Sequence, residues 1–192
     1  GIISDELTLL RDRYGDERRT EIVKKAEELT VEDLIAEEEM VVTVSNTGYI
    51  KRSPVSVYRA QRRGGRGKTG MTARSEDFVS DLFVANTHAY VLVLTERGKL
   101  FWLKVHEIPQ AGRAAKGKPI INLVPIGKDD RLAALLAVKE FTEDKELVMC
   151  TAGGSIKKTN LMEYSRPRAS GIIGITVTGE DKLVESRLVT KE

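Results

Sequence analysis

The sequence is poor in the residues that cross-link or rigidify small proteins. Its 192 residues include one cysteine, five prolines, one tryptophan and two histidines, and aromatic residues make up 5%. A single cysteine, Cys150, excludes an internal disulfide, and its place in the apolar run 147–150 indicates a buried thiol. His88 and His106 have no partners at the spacing of a metal site or a catalytic triad. Catalytic and metal-binding classes are therefore disfavoured.

Long hydrophobic runs are also missing. No stretch of eighteen apolar residues is present to span a bilayer, so we expect no membrane contact. The first residues, Gly1-Ile2-Ile3, carry neither a methionine nor the pattern of a signal peptide. We expect a piece of an intracellular protein, and 41% apolar residues are enough to bury a core.

One stretch lacks acidic residues altogether. Between Met40 and Ser75 there is no aspartate or glutamate, while eight cations are present: Lys51, Arg52, Arg59, Arg62, Arg63, Arg66, Lys68 and Arg74. Like charges at this density repel one another unless a polyanion neutralises them, and nucleic acid is the commonest such partner. At its centre, Gln61-Arg62-Arg63-Gly64-Gly65-Arg66-Gly67 puts three arginines on a glycine-rich loop suited to phosphate contact. DNA or RNA is the first partner hypothesis.

Charge divides the chain near residue 39. Residues 1–39 hold six lysines and arginines against thirteen acidic residues, and residues 40–192 hold 25 against 16. In the acidic part, Ile3, Leu7, Leu10 and Tyr14 recur at helical spacing, which predicts a docking helix ended by the conformational freedom of Gly15. A capping-box pattern at 30–33 predicts one or two further turns. We assign 1–39 to a helical tail and linker, and expect the partner surface beyond it.

Beyond residue 40 the chain repeats itself three times. Each copy has a β-rich run, a hydroxyl residue, two residues, a glycine, one residue and an aliphatic residue, with the glycines at Gly48, Gly98 and Gly154. A tight turn between two strands favours glycine because glycine tolerates positive φ. Ten residues after each glycine comes Tyr58, Ile108 or Tyr164, and a basic loop then ends at Gly67, Gly117 or Gly171.

A period near fifty residues, built from short strands, is typical of propeller-like blades. The sequence therefore predicts a mainly β fold of about three blades preceded by an N-terminal helical segment. The predicted blades occupy about 40–87, 88–143 and 144–192. Trp102 is interpreted as packing within a blade.

The basic residues follow the turn glycine in every copy. If equivalent loops face one rim, their charges form a stripe along which a bent duplex can lie. The candidate DNA-binding residues are Lys51, Arg52, Arg59, Gln61, Arg62, Arg63, Gly64, Gly65, Arg66, Gly67, Lys68, Arg113, Lys116, Lys118, Lys157, Lys158, Arg166 and Arg168.

Other functions stay open from the residues alone. A propeller-like module could use its basic rim to bind acidic proteins instead of DNA. Gly67-Lys68-Thr69 matches the tail of a nucleotide-binding loop, but Arg62 stands where such a loop has its first glycine. A disordered RNA-binding segment usually has several Arg-Gly-Gly copies, and here there is one.

The arginine and glycine segment Gln61 to Gly67 resembles the box motif of the A subunits of bacterial DNA gyrases, which are type IIA topoisomerases. Arg11-Asp12-Arg13-Tyr14-Gly15-Asp16-Glu17-Arg18-Arg19-Thr20-Glu21-Ile22 is similar to the end of their breakage-reunion region. Tyr49-Ile50-Lys51-Arg52 and Ile108-Pro109-Gln110-Ala111-Gly112-Arg113 resemble the opening blades of their C-terminal β-pinwheel. The complete box favours gyrase over the related topoisomerase IV, whose corresponding chain remains an alternative.

The resemblance implies a β-pinwheel of six blades, about half of them present here, that wraps double-stranded DNA and gives direction to ATP-dependent negative supercoiling. Residues Gln61 to Gly67 would be needed for wrapping. The fragment alone would not cleave DNA and would hold no cofactor, since ATP and Mg²⁺ would act through the gyrase B subunit. The expected partners are duplex DNA and the gyrase B subunit, together with a second copy of the A subunit in an A2B2 complex. The expected location is the bacterial cytoplasm, in association with the nucleoid.

Overall fold

The protein consists of two compact units, Gly1–Val31 and Glu32–Glu192. The structure is a computed structural model that describes residues 1–16, 19–20, 32–58, 77–112 and 115–191. Within these residues, no helix has the length and apolar character that crossing a bilayer requires. The second unit begins at Glu32.

Among the described residues of the first unit there is one helix, α1, which spans Ile2–Tyr14. Its predicted apolar stripe of Ile3, Leu7, Leu10 and Tyr14 is exposed, and no residue of the helix is buried. The helix ends before Gly15 as expected, and the Gly15 N–H donates to the carbonyl of Arg11 at 2.8 Å. Gly15 does so in an extended conformation, with φ −72° and ψ 120°, so the expected use of its left-handed freedom is wrong.

The second unit is built from eleven strands among the described residues, linked by short 3₁₀ turns. The strands are β1 Glu39–Ser45, β2 Tyr49–Pro54, β3 Val79–Asn86, β4 Tyr90–Thr95, β5 Lys99–Lys104, β6 Lys118–Pro119, β7 Leu132–Val138, β8 Lys145–Thr151, β9 Ile156–Asn160, β10 Ile172–Ile173 and β11 Leu183–Thr190. The turns are Glu32–Leu34, Val55–Val57, Val105–Glu107, Ile120–Asn122 and Leu161–Tyr164. The last four each follow a strand.

The strands form three antiparallel sheets that exchange strands between repeats. The sheets have the orders β3-β1-β2-β6, β10-β5-β4-β7 and, in the described part of the chain, β11-β8-β9. The second repeat supplies β6 to the first sheet, where Ile50 pairs with Lys118. The third repeat supplies β10 to the second sheet, where Leu100 pairs with Ile172. The predicted mainly β, propeller-like fold is confirmed, and each boundary between repeats is crossed by a strand.

Two apolar cores lie between successive sheets. Alternate residues of a strand face opposite sides of its sheet, and β4 uses both sides. Val91 and Val93 belong to the first core, with Val42 of the first sheet, whereas Leu92 belongs to the second core with Met149 of the third sheet. Burying a side chain of this kind contributes about 1.5 to 3 kcal/mol, so the apolar contacts between repeats help to stabilise the stack of sheets.

The repeated glycine has the conformation that the sequence predicts. Gly48, Gly98 and Gly154 have φ values of 81°, 77° and 85°, in the left-handed region that favours glycine. In each turn the glycine N–H donates to the carbonyl of the hydroxyl residue three positions earlier, at 2.8 to 3.0 Å. The hydroxyl oxygen itself accepts the N–H of the residue after the glycine, at 3.1 to 3.2 Å.

An aspartate caps each hairpin turn from a distant part of its own repeat. Asp77, Asp130 and Asp181, here called the turn aspartates, accept the backbone N–H of the residue before the turn glycine at 3.0, 3.0 and 2.7 Å. Hydrogen bonds from the Thr151 hydroxyl and the Gly153 N–H lower the pKa of Asp181. The acidic end of each repeat thus has a structural function that the sequence analysis missed.

Residues 32–38 are attached to Lys104 of the second repeat and to Thr87, where the first repeat ends. Lys104 Nζ contacts Glu32 Oε1 at 2.5 Å, and this hydrogen bond lowers the pKa of Glu32. The Thr87 hydroxyl donates to the carbonyl of Ala36 at 2.8 Å. These contacts explain why the second unit includes the segment before β1.

Candidate nucleic-acid interface

Two segments that follow a 3₁₀ turn run along the edge strand of the preceding sheet. We call 109–119, which is described except at 113–114, and 165–173 the crossover segments. The first pairs with β2 at both of its ends, because the Arg52 N–H donates to the carbonyl of Pro109 at 3.0 Å and Lys118 pairs with Ile50. The second reaches β5 through the pair Ile172 and Leu100.

The crossover segments lie on equivalent edges of the first and second sheets. The opposite edges of the three sheets are formed by β3, β7 and β11. Strand β7 contacts both β3 and β11, so these three strands converge on one side of the unit. The crossover segments are on the other side, where a partner can approach along successive repeats.

Cationic side chains are exposed on both crossover segments. Lys118 is exposed in the first, and Arg166 and Arg168 are exposed in the second. Lys116 is half-buried, with Nζ 3.7 Å from the ring centroid of Tyr49. This cation–π contact holds the charge near the surface. The sequence analysis did not predict that Tyr49 positions this lysine. These four cations lie on equivalent edges of the first and second sheets.

Lys51 does not belong to this surface. Its side chain lies within the first sheet, at 0% exposure, and Nζ donates to the carbonyl of Gly112 at 3.0 Å. A fully buried ammonium group cannot reach a phosphate, so the prediction that Lys51 contacts DNA is wrong. In the sequence, Lys51 is one lysine in a basic run. The crossover segment that covers it belongs to the next repeat, so its burial is not evident from its neighbours in the sequence.

Arg52 is also engaged within the protein. Its Nε donates to the carbonyl of Ile108 at 2.7 Å, and Nη2 donates to the carbonyl of His106 at 3.1 Å. Burial lowers the pKa of Arg52, and the charge of Glu38 opposes this effect. The guanidinium is therefore directed to backbone carbonyls of the second repeat.

Lys157 and Lys158 lie on β9, the edge strand of the third sheet. Lys157 Nζ donates to the carbonyl of Gly174 at 2.6 Å. Lys158 Nζ pairs with Glu146 at 2.8 Å, while its side chain stays 59% exposed. The Glu146 side chain is only 14% exposed, so Lys158 is engaged with a partly shielded carboxylate while its own side chain stays accessible to solvent.

The remaining predicted site residues lie outside the described residues. They are Arg59, Gln61, Arg62, Arg63, Gly64, Gly65, Arg66, Gly67, Lys68 and Arg113. Apart from Arg113, these residues belong to the first repeat and follow the 3₁₀ turn Val55–Val57. The crossover segments follow the turns Val105–Glu107 and Leu161–Tyr164 in the same way. The arginine box thus has the same sequence position in its repeat as the crossover segments have in theirs.

The described residues offer no alternative metal site. Within these ranges no three histidine, cysteine, aspartate or glutamate side chains form a group that could hold a metal ion. Cys150 is a free thiol and is half-buried rather than fully buried as expected. Trp102 packs against the second core, as predicted.

Three sheets that exchange strands, with exposed cations on equivalent edges of the first two, define a propeller-like module of the β-pinwheel type. The family model described as DNA gyrase C-terminal domain, beta-propeller, matches residues 39–86, 89–139 and 145–189. The chain belongs to this family, which confirms the resemblance seen in the sequence.

Curated relatives agree with this assignment. The chain is 46% identical over 183 residues to the DNA gyrase A subunit of Salmonella typhimurium, covering 95% of this chain and 21% of that protein. It is 47% identical over 183 residues to the DNA gyrase A subunit of Haemophilus influenzae, with coverages of 95% and 21%. The chain therefore spans about a fifth of the length of these relatives.

Solved structures show the same fold. The C-terminal domain of a DNA topoisomerase IV superposes with a TM-score of 0.68 at 27% identity, covering 80% of this chain and 46% of that one. A DNA gyrase A C-terminal domain superposes with a TM-score of 0.64 at 25% identity, covering 80% and 49%. The chain thus spans about half of each of these domains.

Proposed function

We propose that this chain binds double-stranded DNA along the edge that carries the crossover segments and curves it there, as part of the wrapping domain of a gyrase A subunit. The observation that carries the proposal is the exposure of Lys118, Arg166 and Arg168 on equivalent edges of two successive sheets. Membership of the gyrase C-terminal domain family supports it.

The chemistry of this edge suits a phosphate backbone more than base recognition. Arginine and lysine release counterions when they neutralise phosphates, so binding should be strong at low salt and weak at high salt. The exposed cations are spread over different repeats, so a duplex that contacts all of them must bend. Smooth bending of a 20 to 30 base-pair site costs on the order of 1 to 6 kcal/mol, which several phosphate contacts can offset.

The arginine box extends the same proposal to the first repeat. Arg62, Arg63 and Arg66 stand on a segment whose sequence position matches that of the crossover segments. Three guanidinium groups among glycines allow close bidentate contact with phosphate. We therefore assign to Gln61 through Gly67 a part in wrapping.

The salt dependence of DNA binding tests the edge. Affinity for a random-sequence duplex is measured at several salt concentrations for the wild type, the double variant Arg166→Ala and Arg168→Ala, and the control Lys139→Ala. Each lost phosphate contact should reduce the slope of log affinity against log salt by about 0.9. Lys139 is exposed directly after β7, on the opposite edge, and should leave the slope unchanged. A wild type without salt-dependent binding overturns the proposal.

A topology assay tests the box. Nicked circular DNA is sealed in the presence of the chain, and the change in linking number reports wrapping. The triple variant Arg62→Ala, Arg63→Ala and Arg66→Ala should lose the change while keeping its melting temperature. A linking-number change equal to that of the wild type would refute the part assigned to the box.

In its biological setting the chain would act within a larger enzyme. We place it in an A2B2 gyrase complex in the bacterial cytoplasm, where wrapping presents a DNA segment for ATP-dependent passage. ATP and Mg²⁺ would bind the gyrase B subunit, whereas this chain alone would not cleave DNA. Incubating supercoiled plasmid with the isolated chain, ATP and Mg²⁺ should yield no linear or relaxed product.

A further inference from the structure

Two unrelated side chains form the same contact in successive repeats. Arg52 and Trp102, here called the latch residues, each stand four positions after a turn glycine. Arg52 Nε donates to the carbonyl of Ile108 at 2.7 Å, and Trp102 Nε1 donates to the carbonyl of Tyr164 at 2.8 Å. Both acceptors stand ten positions after the next turn glycine, so each latch residue joins its own repeat to the following one.

The contact lies where a crossover segment begins. Tyr164 is the last residue of its 3₁₀ turn, and the segment 165–173 follows directly. At its far end this segment is attached through the two residues of β10. Arg166 and Arg168 therefore stand between two points of attachment, of which Trp102 supplies the first.

The latch residues are poorly placed to touch DNA themselves. Trp102 is half-buried against the second core. Arg52 is half-buried and directs Nε and Nη2 to carbonyls of the second repeat. An effect of either residue on DNA affinity must then pass through the crossover segment that it holds.

We propose that Arg52 and Trp102 are positioning residues. They hold the crossover segments in place before DNA binds, so that the cations of these segments are already ordered when they contact DNA. This inference rests on the proposed function above. A loop fixed before binding loses less conformational freedom on binding than a free one, which raises affinity without an added contact. The loss of one such hydrogen bond should lower duplex affinity by about threefold to tenfold.

The variant Trp102→Phe removes the N–H donor while keeping an aromatic ring and the net charge. Hydrogen exchange of the amides of 165–174 should accelerate about tenfold. Affinity for a random-sequence duplex should fall about threefold to tenfold. The matched control is Tyr90→Phe, a half-buried aromatic residue of the same sheet, which should change neither quantity.

A double-mutant comparison separates positioning from a general loss of structure. In a chain that already carries Arg166→Ala and Arg168→Ala, Trp102→Phe should lower affinity no further, because the cations that it positions are gone. An equal fall in both backgrounds would mean that the substitution acts through the fold as a whole, and would overturn the positioning role.

The variant Arg52→Lys tests the first latch without changing charge. A lysine ammonium lacks the planar fork that reaches two carbonyls, so exchange of the amides of 110–118 should accelerate. If Arg52 instead contacts phosphate, exchange should stay at the wild-type rate while a lysine keeps most of the affinity, which would overturn the proposal for this residue.

The exchange measurements need no DNA, so the two proposals fail in different ways. Unchanged exchange in Trp102→Phe overturns the latch whatever the duplex result. A wild type that binds no duplex overturns the proposed function, and with it the effect of the latch on binding, even if exchange accelerates.

Discussion

The carbonyl of Gly98 accepts two backbone hydrogen bonds from the third repeat, from Gly174 at 2.8 Å and from Ile175 at 3.2 Å. The hairpin turn of the second repeat is thereby fixed to the residues that follow β10. A Cβ built on Gly98 would collide with the carbonyl oxygen of Ile175. Gly98 is thus required twice, by its φ of 77° and by the backbone that packs against it.

We expect Gly98→Ala to destabilise the protein far more than Gly154→Ala. Both glycines have positive φ, which costs an alanine about 1 to 2 kcal/mol. Gly154 has open space where a Cβ would lie, whereas Gly98 does not. Denaturant unfolding should show a loss of at least about 3 kcal/mol for Gly98→Ala. Equal losses in the two variants would contradict the close approach of Ile175.

Acid should destabilise the protein partly through Asp181. Its pKa in the folded state lies below the ordinary value of 3.8, so the charged form stabilises the fold. This contribution is present above pH 3.8 and is lost as the pH falls through the folded-state pKa. Below pH 3.8, the melting temperature of the neutral variant Asp181→Asn should therefore fall less steeply with pH than that of the wild type. An acid profile identical to that of the wild type would refute the role of the carboxylate.

Lys51→Met should lower stability without changing the number of phosphate contacts. The substitution removes the charge-assisted hydrogen bond to the carbonyl of Gly112, and such a bond contributes about 1.5 to 3 kcal/mol. The salt slope of duplex binding should stay at the wild-type value. Lys118→Ala is the comparison, since it should reduce the slope by about 0.9 while stability stays close to that of the wild type. A reduced salt slope in Lys51→Met would show that Lys51 contacts phosphate after all.

The pair formed by Glu32 and Lys104 should hold residues 32–38 against the second repeat. Lys104 Nζ also donates to the carbonyl of His88 at 3.1 Å and lies 3.9 Å from the ring centroid of Tyr90. A double-mutant cycle with Glu32→Gln and Lys104→Met should give a coupling of about 1 kcal/mol, because both groups are partly shielded from water. Limited proteolysis before β1 should be faster in either single variant. Zero coupling would mean that the pair does not hold this segment.

Much of the fold was predictable because its signals are local. A tight turn needs a residue with positive φ wherever it occurs, so Gly48, Gly98 and Gly154 mark their turns within a few residues of sequence. The end of α1 at Tyr14 could also be predicted from the sequence, since Gly15 follows it. The turn aspartates were not, because Asp77 caps a turn thirty residues earlier in the chain.

The sequence identified basic residues after each turn glycine, but it did not show which of them the fold leaves exposed. The position four residues after the turn glycine was visible in the sequence, yet it holds an arginine in one repeat and a tryptophan in the next. Their common contact appears only when the next repeat is in place. Residue type therefore suggested DNA contact for Arg52 and core packing for Trp102, while both reach equivalent carbonyls.

The sequence by itself determined the threefold repeat and the turn positions and predicted a polyanionic partner, because these depend on backbone conformation and charge that belong to each residue. The tertiary structure alone decided which cations are free, since Lys51 and Gly112 are 61 residues apart and meet only when the crossover segment closes over β2. Lys118, on that same segment, remains exposed. Burial of a charge depends on what packs over it, and in this fold the covering residues come from the following repeat.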